Sequence, residues 1–344
     1  MGTELQNTEP IKIIVPLDLY DRLEQDARLF EVFRNNGETI VLNSLISALL
    51  SGYYERYMKE ISGRYEDMKG ILENYIQDPA RLDQVIRKLI VKQAEEESRN
   101  VKEEETRPLH IRPTKRTDLI MSEIAGNTYK TGENISEFYR RMFYSYLRLP
   151  IYERERIIYH ETVEVLERAC RDGREVSFSI RDKKMVHRAV PYKLVHGLDE
   201  RYNYLLCQEP NAVTGKPMAS SFRLSRIRNP YETLTEGTIT EQIQSYLNAM
   251  ETYGPQHSLN EDIVTCIELN EAGRRNFQSI YHDRPVVYDA EKPQPNGRRK
   301  YYFRCSQNQL FLYFRRFNPG EAKVLYPEKL AEQIRDFHEK SLAN

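Results

Sequence analysis

The chain has 344 residues, 40% of them hydrophobic, and a formal net charge of −1, so it is long enough for two or three domains with separate cores. Its mean hydropathy is −0.70, and no apolar run approaches the roughly 18 residues of a membrane span. The N-terminus is too polar and acidic for a signal peptide. Composition therefore argues against any membrane partner, and we expect a cytoplasmic protein.

Metal-binding, redox and catalytic motifs are missing from the sequence. The four cysteines lie far apart and the seven histidines show no paired spacing, which predicts free thiols, buried at Cys207 and Cys305, and neither a metal nor a cofactor. A Walker loop, Gly-x-Gly-x-x-Gly and Gly-x-Ser-x-Gly are absent too. His160 and Glu161 begin like a zinc-protease helix, but Glu164 stands where the second histidine is required. We therefore expect binding and not catalysis.

The first predicted domain, residues 10–60, contains a short strand over 11–15, a helix over 19–33, turn residues at 35–37 and a helix over 39–57. This order resembles the ribbon-helix-helix motif, in which strands from two copies pair into a ribbon that enters the DNA major groove. The outward face of this strand consists of Pro10, Lys12 and Ile14, and it has few side chains that could contact base edges. We interpret this copy as an assembly surface, and the motif implies a homodimer.

Residues 61–106 are predicted to be a helical linker, broken near Asp78 and Pro79, where Pro79 opens a new helix. Acidic runs at 95–97 and 103–105 are typical of a solvated helix end or linker. The linker therefore has no predicted binding role.

Residues 107–170 repeat the order of strand, helix, glycine-containing break and helix, over 109–114, 117–125 and 135–147, and a further helix is predicted from 150 to 170. Two interpretations stand: a second ribbon-helix-helix copy, which would let one chain form the paired unit, or a plain helical connector. The outward face of this strand and the loop after it carry groups suited to phosphates and base edges: His110, Arg112, Thr114, Lys115 and Arg116.

Residues 171–236 contain alternating runs at 174–180, 187–192, 202–207 and 220–227, separated by turn residues, which predicts a small, strongly bent β barrel. Between residues 171 and 231, twelve Lys and Arg stand against six Asp and Glu. Such a cationic excess among tyrosines and phenylalanines suits a phosphate backbone with unstacked bases. The alternative is an ordinary solvated surface, with Tyr204 and Phe222 in the core.

The same stretch resembles the WYL domain. The resemblance is carried by Arg188, Pro191, Leu194, the Tyr204-Leu205 pair and the run Phe222-Arg223-Leu224-Ser225-Arg226-Ile227. Asn203 stands where the family usually has Trp, and Ser225 where it has Asp. The resemblance implies an Sm-like (SH3-like) barrel that binds nucleic acid or a nucleotide-like ligand, without catalysis.

Residues 237–261 are predicted to be a helical linker, and residues 262–344 a small α/β extension similar to those that follow WYL barrels. We predict its strands over 263–269, 285–288, 299–306, 310–317 and 322–326, and its helices over 271–280 and 328–342. A second cationic and aromatic patch lies here: Arg298, Arg299, Lys300, Arg315 and Arg316, among Tyr301, Tyr302, Tyr313 and Phe314. It either extends the barrel surface or forms the exposed face of a hairpin.

Together these regions form an α+β multidomain chain, whose order resembles the WYL accessory proteins of type VI-D CRISPR loci. That resemblance implies binding of single-stranded RNA and enhancement of an RNA-guided CRISPR RNase. We expect Arg188, Arg223 and Arg226 to hold phosphates, and Tyr204, Tyr192 or His187 to contact bases. Further candidate residues are Lys193 and Arg181, with a secondary set of His110, Arg112, Lys115, Arg116, Arg298, Arg299 and Arg315.

The sequence is compatible with two other functions. One is a transcription regulator that binds operator DNA through its N-terminal region and uses the barrel as a ligand sensor. The other is an interaction scaffold whose cationic patches meet an acidic protein partner.

Overall fold

The computed structural model describes residues 10–34, 39–98, 105–131, 133–181 and 185–342. Within these residues the chain forms eleven α-helices and eleven strands, and the strands make up three antiparallel sheets. Two compact units divide the chain, Met1–His160 and Glu161–Asn344. Among the described helices, none combines the length and the apolar character needed to cross a membrane.

The first unit contains two short strands and a set of helices. Its elements are β1 (Ile11–Pro16), α1 (Leu17–Leu29), α2 (Leu42–Leu72), α3 (Pro79–Ser98), β2 (Thr106–Ile111), α4 (Asp118–Thr131), α5 (Ile135–Leu147) and α6 (Ile151–Ile158). β1 and β2 pair antiparallel, with Lys12 opposite His110 and Ile13 opposite Leu109. Because side chains alternate along a strand, Ile13 and Leu109 are buried while Lys12 and His110 are exposed.

Each strand of this ribbon is bonded to the helix that belongs to the other half of the unit. The Ile14 amide donates to Ser136 Oγ at the start of α5 (3.2 Å), and the Arg112 amide donates to Asn43 Oδ1 at the start of α2 (2.8 Å). The two strand-helix-helix segments therefore form one ribbon and share one core within a single chain. The large buried side chains at its centre are aromatic: Phe30, Tyr53, Tyr139, Phe143 and Tyr146.

The second unit begins with α7 and contains the central sheet. Its first elements are α7 (His160–Asp172), β3 (Arg174–Ile180), β4 (Val186–His196), β5 (Asn203–Pro210), β6 (Pro217–Arg223), a 3-10 turn (Leu224–Arg226), β7 (Ile227–Glu236) and α8 (Glu241–Tyr253). The strand order is β6-β5-β4-β3-β7. The ladder between β4 and β5 shifts register between Pro191 and Lys193, and such a bulge bends a strand.

The central sheet is open among the described residues, whereas the sequence predicts a barrel. β6 and β7 stand at opposite ends of the strand order. The free edge of β6 is covered by the chain after α8: the Asn260 side chain accepts from the Ala219 amide (2.7 Å) and donates to the Ala219 carbonyl (2.9 Å). Ser258 Oγ accepts from the Ser221 amide (3.2 Å). These side chains supply bonds that a closing strand would make.

The C-terminal part of the second unit is a four-stranded sheet with helices. Its elements are β8 (Thr265–Leu269), α9 (Glu271–Ser279), β9 (Asp289–Ala290), β10 (Arg299–Phe303), α10 (Gln307–Phe314), β11 (Ala322–Tyr326) and α11 (Glu328–Leu342), in the strand order β11-β8-β10-β9. Its core includes Ile267, Phe277, Phe303, Tyr313 and Leu330. The predicted strand over 322–326 and the predicted helix over 328–342 are confirmed.

Several predicted elements are wrong in type or length. Residues 310–317 are not a strand: most lie in α10, and Leu310, Tyr313, Phe314 and Phe317 are all buried at helical spacing. A short apolar run fits both periods, so spacing alone could not distinguish them. The predicted strand over 285–288 is irregular, and pairing begins at β9.

Helix boundaries differ as well. The helix predicted over 150–170 is two helices, α6 and α7, separated at Tyr159, whose hydroxyl donates to the Phe30 carbonyl (2.5 Å). α1 ends before 33 because Glu31 has φ 57°, which is outside the helical region. α2 continues beyond 60, to Leu72. The predicted turns at 35–37, Gly132 and 182–184, and residues 103 and 104 of the second acidic run, lie outside the described residues.

Candidate nucleic-acid interface

Arg188 lies at one end of a row of three residues that crosses the sheet, with Ser177 at its centre. Ser177 on β3 is opposite Arg188 on β4 and also opposite Tyr231 on β7. Residues directly opposite one another in an antiparallel ladder share a face, so these three side chains lie together, and we name them the Arg188 row. Arg188 is exposed, Tyr231 is 56% exposed, and Ser177 between them is fully buried.

The guanidinium of Arg188 is open to a ligand. In the described part of the chain it makes no hydrogen bond and no ion pair, and its strand neighbours His187 and Ala189 are buried on the opposite face. Opposite it, the Ser177 hydroxyl is buried and has no hydrogen-bond partner among the described residues. The row therefore offers one free cation, one aromatic ring and one unsatisfied hydroxyl.

Three further arginines lie where β3 ends and β7 begins. The Arg181 amide donates to the Arg226 carbonyl (2.9 Å), so these residues are adjacent. Arg228 is opposite Ser179 on β3, and its Nη1 donates to the carbonyls of Ser225 (2.7 Å) and Ile227 (2.9 Å). Since Ser179 is two residues from Ser177, Arg228 continues the face that carries the Arg188 row.

Arg223 and Tyr204 form a separate place on the sheet. Arg223 is opposite Tyr204, and its guanidinium lies 3.5 Å from the centroid of the Tyr202 ring. Tyr204 is also opposite Val195, which is seven residues after Arg188 on β4. At about 3.3 Å per residue, this places Arg223 and Arg188 roughly 20 Å apart along the strand. The sheet therefore does not bring all the predicted arginines to one point.

His187 cannot contact a base in this arrangement. Its Nδ1 is 2.9 Å from Glu209 Oε2, and Glu209 Oε1 accepts from Ser220 Oγ (2.6 Å). The imidazole stacks on Phe178, with ring centroids 5.5 Å apart, and meets the edge of Phe222 at 4.7 Å. The sequence prediction for His187 is therefore wrong in this fold, because adjacent strand residues face opposite sides and Arg188 occupies the exposed one.

Tyr192 and Lys193 are held by α8. The Tyr192 hydroxyl donates to Asn248 Oδ1 (2.6 Å), and Lys193 Nζ forms an ion pair with Glu251. This pairing raises the pKa of Lys193 through the hydrogen bond to Glu251. Neither residue presents a free binding group, in contrast to the prediction. The sequence places Asn248 and Glu251 one turn apart on a helix, but their contact with β4 is a tertiary feature.

The exposed face of the N-terminal ribbon is a second cationic surface. The side chains of Lys12, His110, Arg112 and Lys115 are exposed and have no hydrogen-bond or ion-pair partner among the described residues, and Arg116 is exposed as well. Because Lys12 is opposite His110, both strands contribute to this surface. Of the expected secondary set, His110 therefore shares a face of the ribbon with Lys12, and the exposed Arg112, Lys115 and Arg116 follow in the next loop.

The C-terminal patch is not the exposed face of a hairpin, because most of residues 310–317 lie in α10, and its cations have partners. Arg298 pairs with Glu268 (2.7 Å), Lys300 with Glu291 (3.4 Å) and Arg316 with Asp283 (3.3 Å). The other members are held as well, or are buried: Arg299 donates to the Glu291 carbonyl (2.7 Å), Arg315 lies over the rings of Phe311 and Phe337 (5.7 and 5.4 Å to the centroids), and Tyr313 and Phe314 are in the core.

The cysteines are free thiols, and Cys207 and Cys305 are buried as predicted. Burial raises the pKa of Cys305 to about 12, so neither a ready nucleophile nor a metal ligand is expected there. The fold brings the ligand atoms of Asp199, His282 and Asp283 within 4.8 Å of one another. These groups are not deeply buried and Asp283 is paired with Arg316, so we assign them no metal-binding role.

The described fold defines a mixed α/β protein with three antiparallel sheets, and a solved structure shares it. The chain is similar to the "Crystal structure of a CRISPR Cas-related protein", with a TM-score of 0.68 and 18% identity, over 100% of this chain and 96% of that one. At this identity the likeness establishes the fold alone.

A second structure, proteasome accessory factor B/C (PafBC) of Arthrobacter aurescens, matches 69% of this chain and 37% of that one at 15% identity. Its TM-score of 0.26 is too low to support a shared fold. No protein-family model matches the chain, and no curated protein sequence matches it.

Proposed function

We propose that this chain is a non-catalytic accessory protein of a CRISPR system, which binds single-stranded RNA on the outer face of its central sheet and enhances an RNA-guided RNase. The observation that carries the proposal is the Arg188 row, where a guanidinium without a partner among the described residues and an exposed tyrosine ring flank one strand. The biological setting is supported by the similar structure, which is that of a CRISPR Cas-related protein.

The chemistry of the row suits an unpaired nucleotide. Arginine donates several N–H groups to phosphate in a planar fork, and a tyrosine face accepts any base by stacking. Arg188 and Tyr231 are separated by one strand, so their Cα atoms lie about 10 Å apart. Arg228, opposite Ser179, continues the cationic face, which favours a strand of several nucleotides over a single one.

The order and pairing of the strands support a proposed fold class for the central sheet and for the N-terminal ribbon. In the central sheet the last strand, β7, lies beside the first, β3, and a 3-10 turn precedes it; this order supports a bent Sm-like sheet of the WYL class. In the first unit, the intrachain ribbon and its two reciprocal bonds support paired ribbon-helix-helix copies. Since the ribbon is complete within one chain, a homodimer would need another surface.

The proposal is tested by a competition assay at one salt concentration with single-stranded RNA, single-stranded DNA and duplex DNA. We expect RNA to compete best, and Arg188→Ala with Tyr231→Ala to weaken RNA binding while the matched variant Lys193→Ala does not. The same proteins are then added to an RNA-guided RNase assay, where the double variant should enhance cleavage less. RNA binding that survives the double variant would contradict the proposed surface.

A second function is favoured by the exposed ribbon face, because antiparallel ribbons can enter the DNA major groove. In that case the chain binds operator DNA through Lys12, His110 and Arg112, and the central sheet acts as a ligand sensor. Duplex DNA would then win the same competition. An acidic protein partner is less favoured, because carboxylates of this chain already pair with the C-terminal cations.

A further inference from the structure

Ser177 carries a buried hydroxyl that no described residue satisfies. It is fully buried, and its hydroxyl has no hydrogen-bond partner in the part of the chain that the structure describes. A buried hydroxyl without a partner destabilises a fold, so such a group is unusual unless something else bonds to it. The neighbouring serine on the same face, Ser179, differs in this respect, because its hydroxyl donates to the Arg228 carbonyl (3.5 Å).

The order of the three side chains in the Arg188 row matches the order of the chemical groups in a nucleotide. Across the strands the order is Arg188, Ser177, Tyr231, and in a nucleotide the order is phosphate, ribose, base. A nucleotide whose phosphate meets Arg188 and whose base stacks on Tyr231 therefore places its sugar over Ser177. The exposed side chains of Arg188 and Tyr231 stand on either side of Ser177. Because no described residue holds the guanidinium of Arg188, a ligand can move this side chain aside and reach Ser177.

We propose that the Ser177 hydroxyl hydrogen-bonds the ribose 2′-hydroxyl and makes the Arg188 row select RNA over DNA. A serine hydroxyl both donates and accepts, as the 2′-hydroxyl does, and the 2′-hydroxyl is the group by which proteins distinguish the two nucleic acids. This inference rests on the proposed function, since it concerns the same surface. It adds the residue that determines the class of nucleic acid.

The test compares an RNA oligonucleotide with the same oligonucleotide lacking its 2′-hydroxyls, on wild-type protein, Ser177→Ala and Ser179→Ala. We expect wild type to prefer RNA by roughly fivefold for each nucleotide held in this way, the effect of one neutral hydrogen bond. Ser177→Ala should remove that preference by weakening RNA binding only, while Ser179→Ala keeps it. The melting temperature of Ser177→Ala should not fall, because its hydroxyl has no described partner to lose.

A second measurement uses only the wild-type protein, so it does not require that a variant folds. Single 2′-deoxy substitutions are walked along the RNA, and wild-type affinity should fall at one or a few positions. An unchanged RNA preference in Ser177→Ala, or an equal loss for RNA and DNA, would overturn the role of Ser177 while leaving RNA binding by the sheet intact. Absence of RNA binding by the wild-type protein would overturn the proposed function and this inference together.

Discussion

Arg154 and Asp26 form a buried ion pair in the first unit, with the Arg154 Nη1 atom 2.6 Å from both carboxylate oxygens. Asp26 is only 3% exposed, and the Arg154 guanidinium also lies 5.9 Å from the centroid of the Tyr146 ring. The pair joins α1 to α6 across the aromatic core.

Replacing Arg154 with Met should destabilise the first unit by about 3–5 kcal/mol, because a buried carboxylate would remain without its partner. Arg28 pairs with Glu24 on the exposed side of α1, at 3.5 Å, and provides the matched control. Arg28→Ala should cost about 0–1 kcal/mol. Hydrogen exchange of the α1 amides measures both, and equal effects would show that the buried pair has no special role.

Arg188→Ala should lower the affinity for single-stranded RNA and reduce the slope of log K against log salt by about 0.7, the value for one phosphate contact on a single strand. Lys193→Ala, on the same strand, should leave the slope unchanged because Lys193 is already paired with Glu251. Filter binding at four salt concentrations measures both slopes. A loss in the lysine variant as large as in the arginine variant would argue against the Arg188 row.

The triple variant Lys12→Ala, His110→Ala and Arg112→Ala tests whether the ribbon and the sheet bind different nucleic acids. All three side chains are exposed, so the fold should be retained. We expect RNA affinity to stay within about twofold, and any duplex-DNA affinity to fall, with the salt slope reduced by about 0.9 for each phosphate that the variant no longer neutralises. A large decrease in RNA binding would move the RNA site to the first unit.

Gly273 is required where α9 meets the chain before β11. A Cβ atom there would lie 2.1 Å from the Glu321 carbonyl oxygen, which belongs to the backbone. Gly273→Ala should therefore destabilise the second unit by about 1–3 kcal/mol. In the control Gly63→Ala, within α2, the Cβ meets nothing within 4 Å, and alanine should stabilise the helix by about 0.5–1 kcal/mol. Urea unfolding distinguishes the two; a stabilising Gly273→Ala would contradict the close approach.

The second unit should lose stability as the pH falls below neutrality. Burial lowers the pKa of His257 from 6.5, and the Asp283 carboxylate opposes this. The unfolded chain then takes up a proton at higher pH than the folded one, so this contribution is complete above pH 6.5 and is lost as the pH falls through the folded pKa. His257→Gln should show a smaller decrease in urea midpoints between about pH 7.5 and pH 5, and His338→Gln the wild-type decrease. Identical decreases in wild type and both variants would show that His257 does not cause the loss of stability.

Local patterns determined the elements whose period is unambiguous. The alternation over 174–180, the apolar stripe over 135–147 and the C-terminal helix over 328–342 appear with the predicted bounds, because each pattern follows from burying one face of one element. The repeated strand-helix-helix order also indicated that β1 could pair within the chain. The same alternation excludes His187 from the face of Arg188, an inference that neighbouring strand residues already permit.

Only the tertiary structure decided which charged groups are free. Lys193 and Arg188 both lie on β4 as exposed cations, yet Lys193 meets a carboxylate from α8 while Arg188 meets none in the described chain. Arg298 and Arg316 likewise find acids that are 30 and 33 residues away in sequence. The sequence gives the number of charged residues. Whether each charge is neutralised depends on contacts between elements that are distant in sequence, and these contacts arise only when the chain folds.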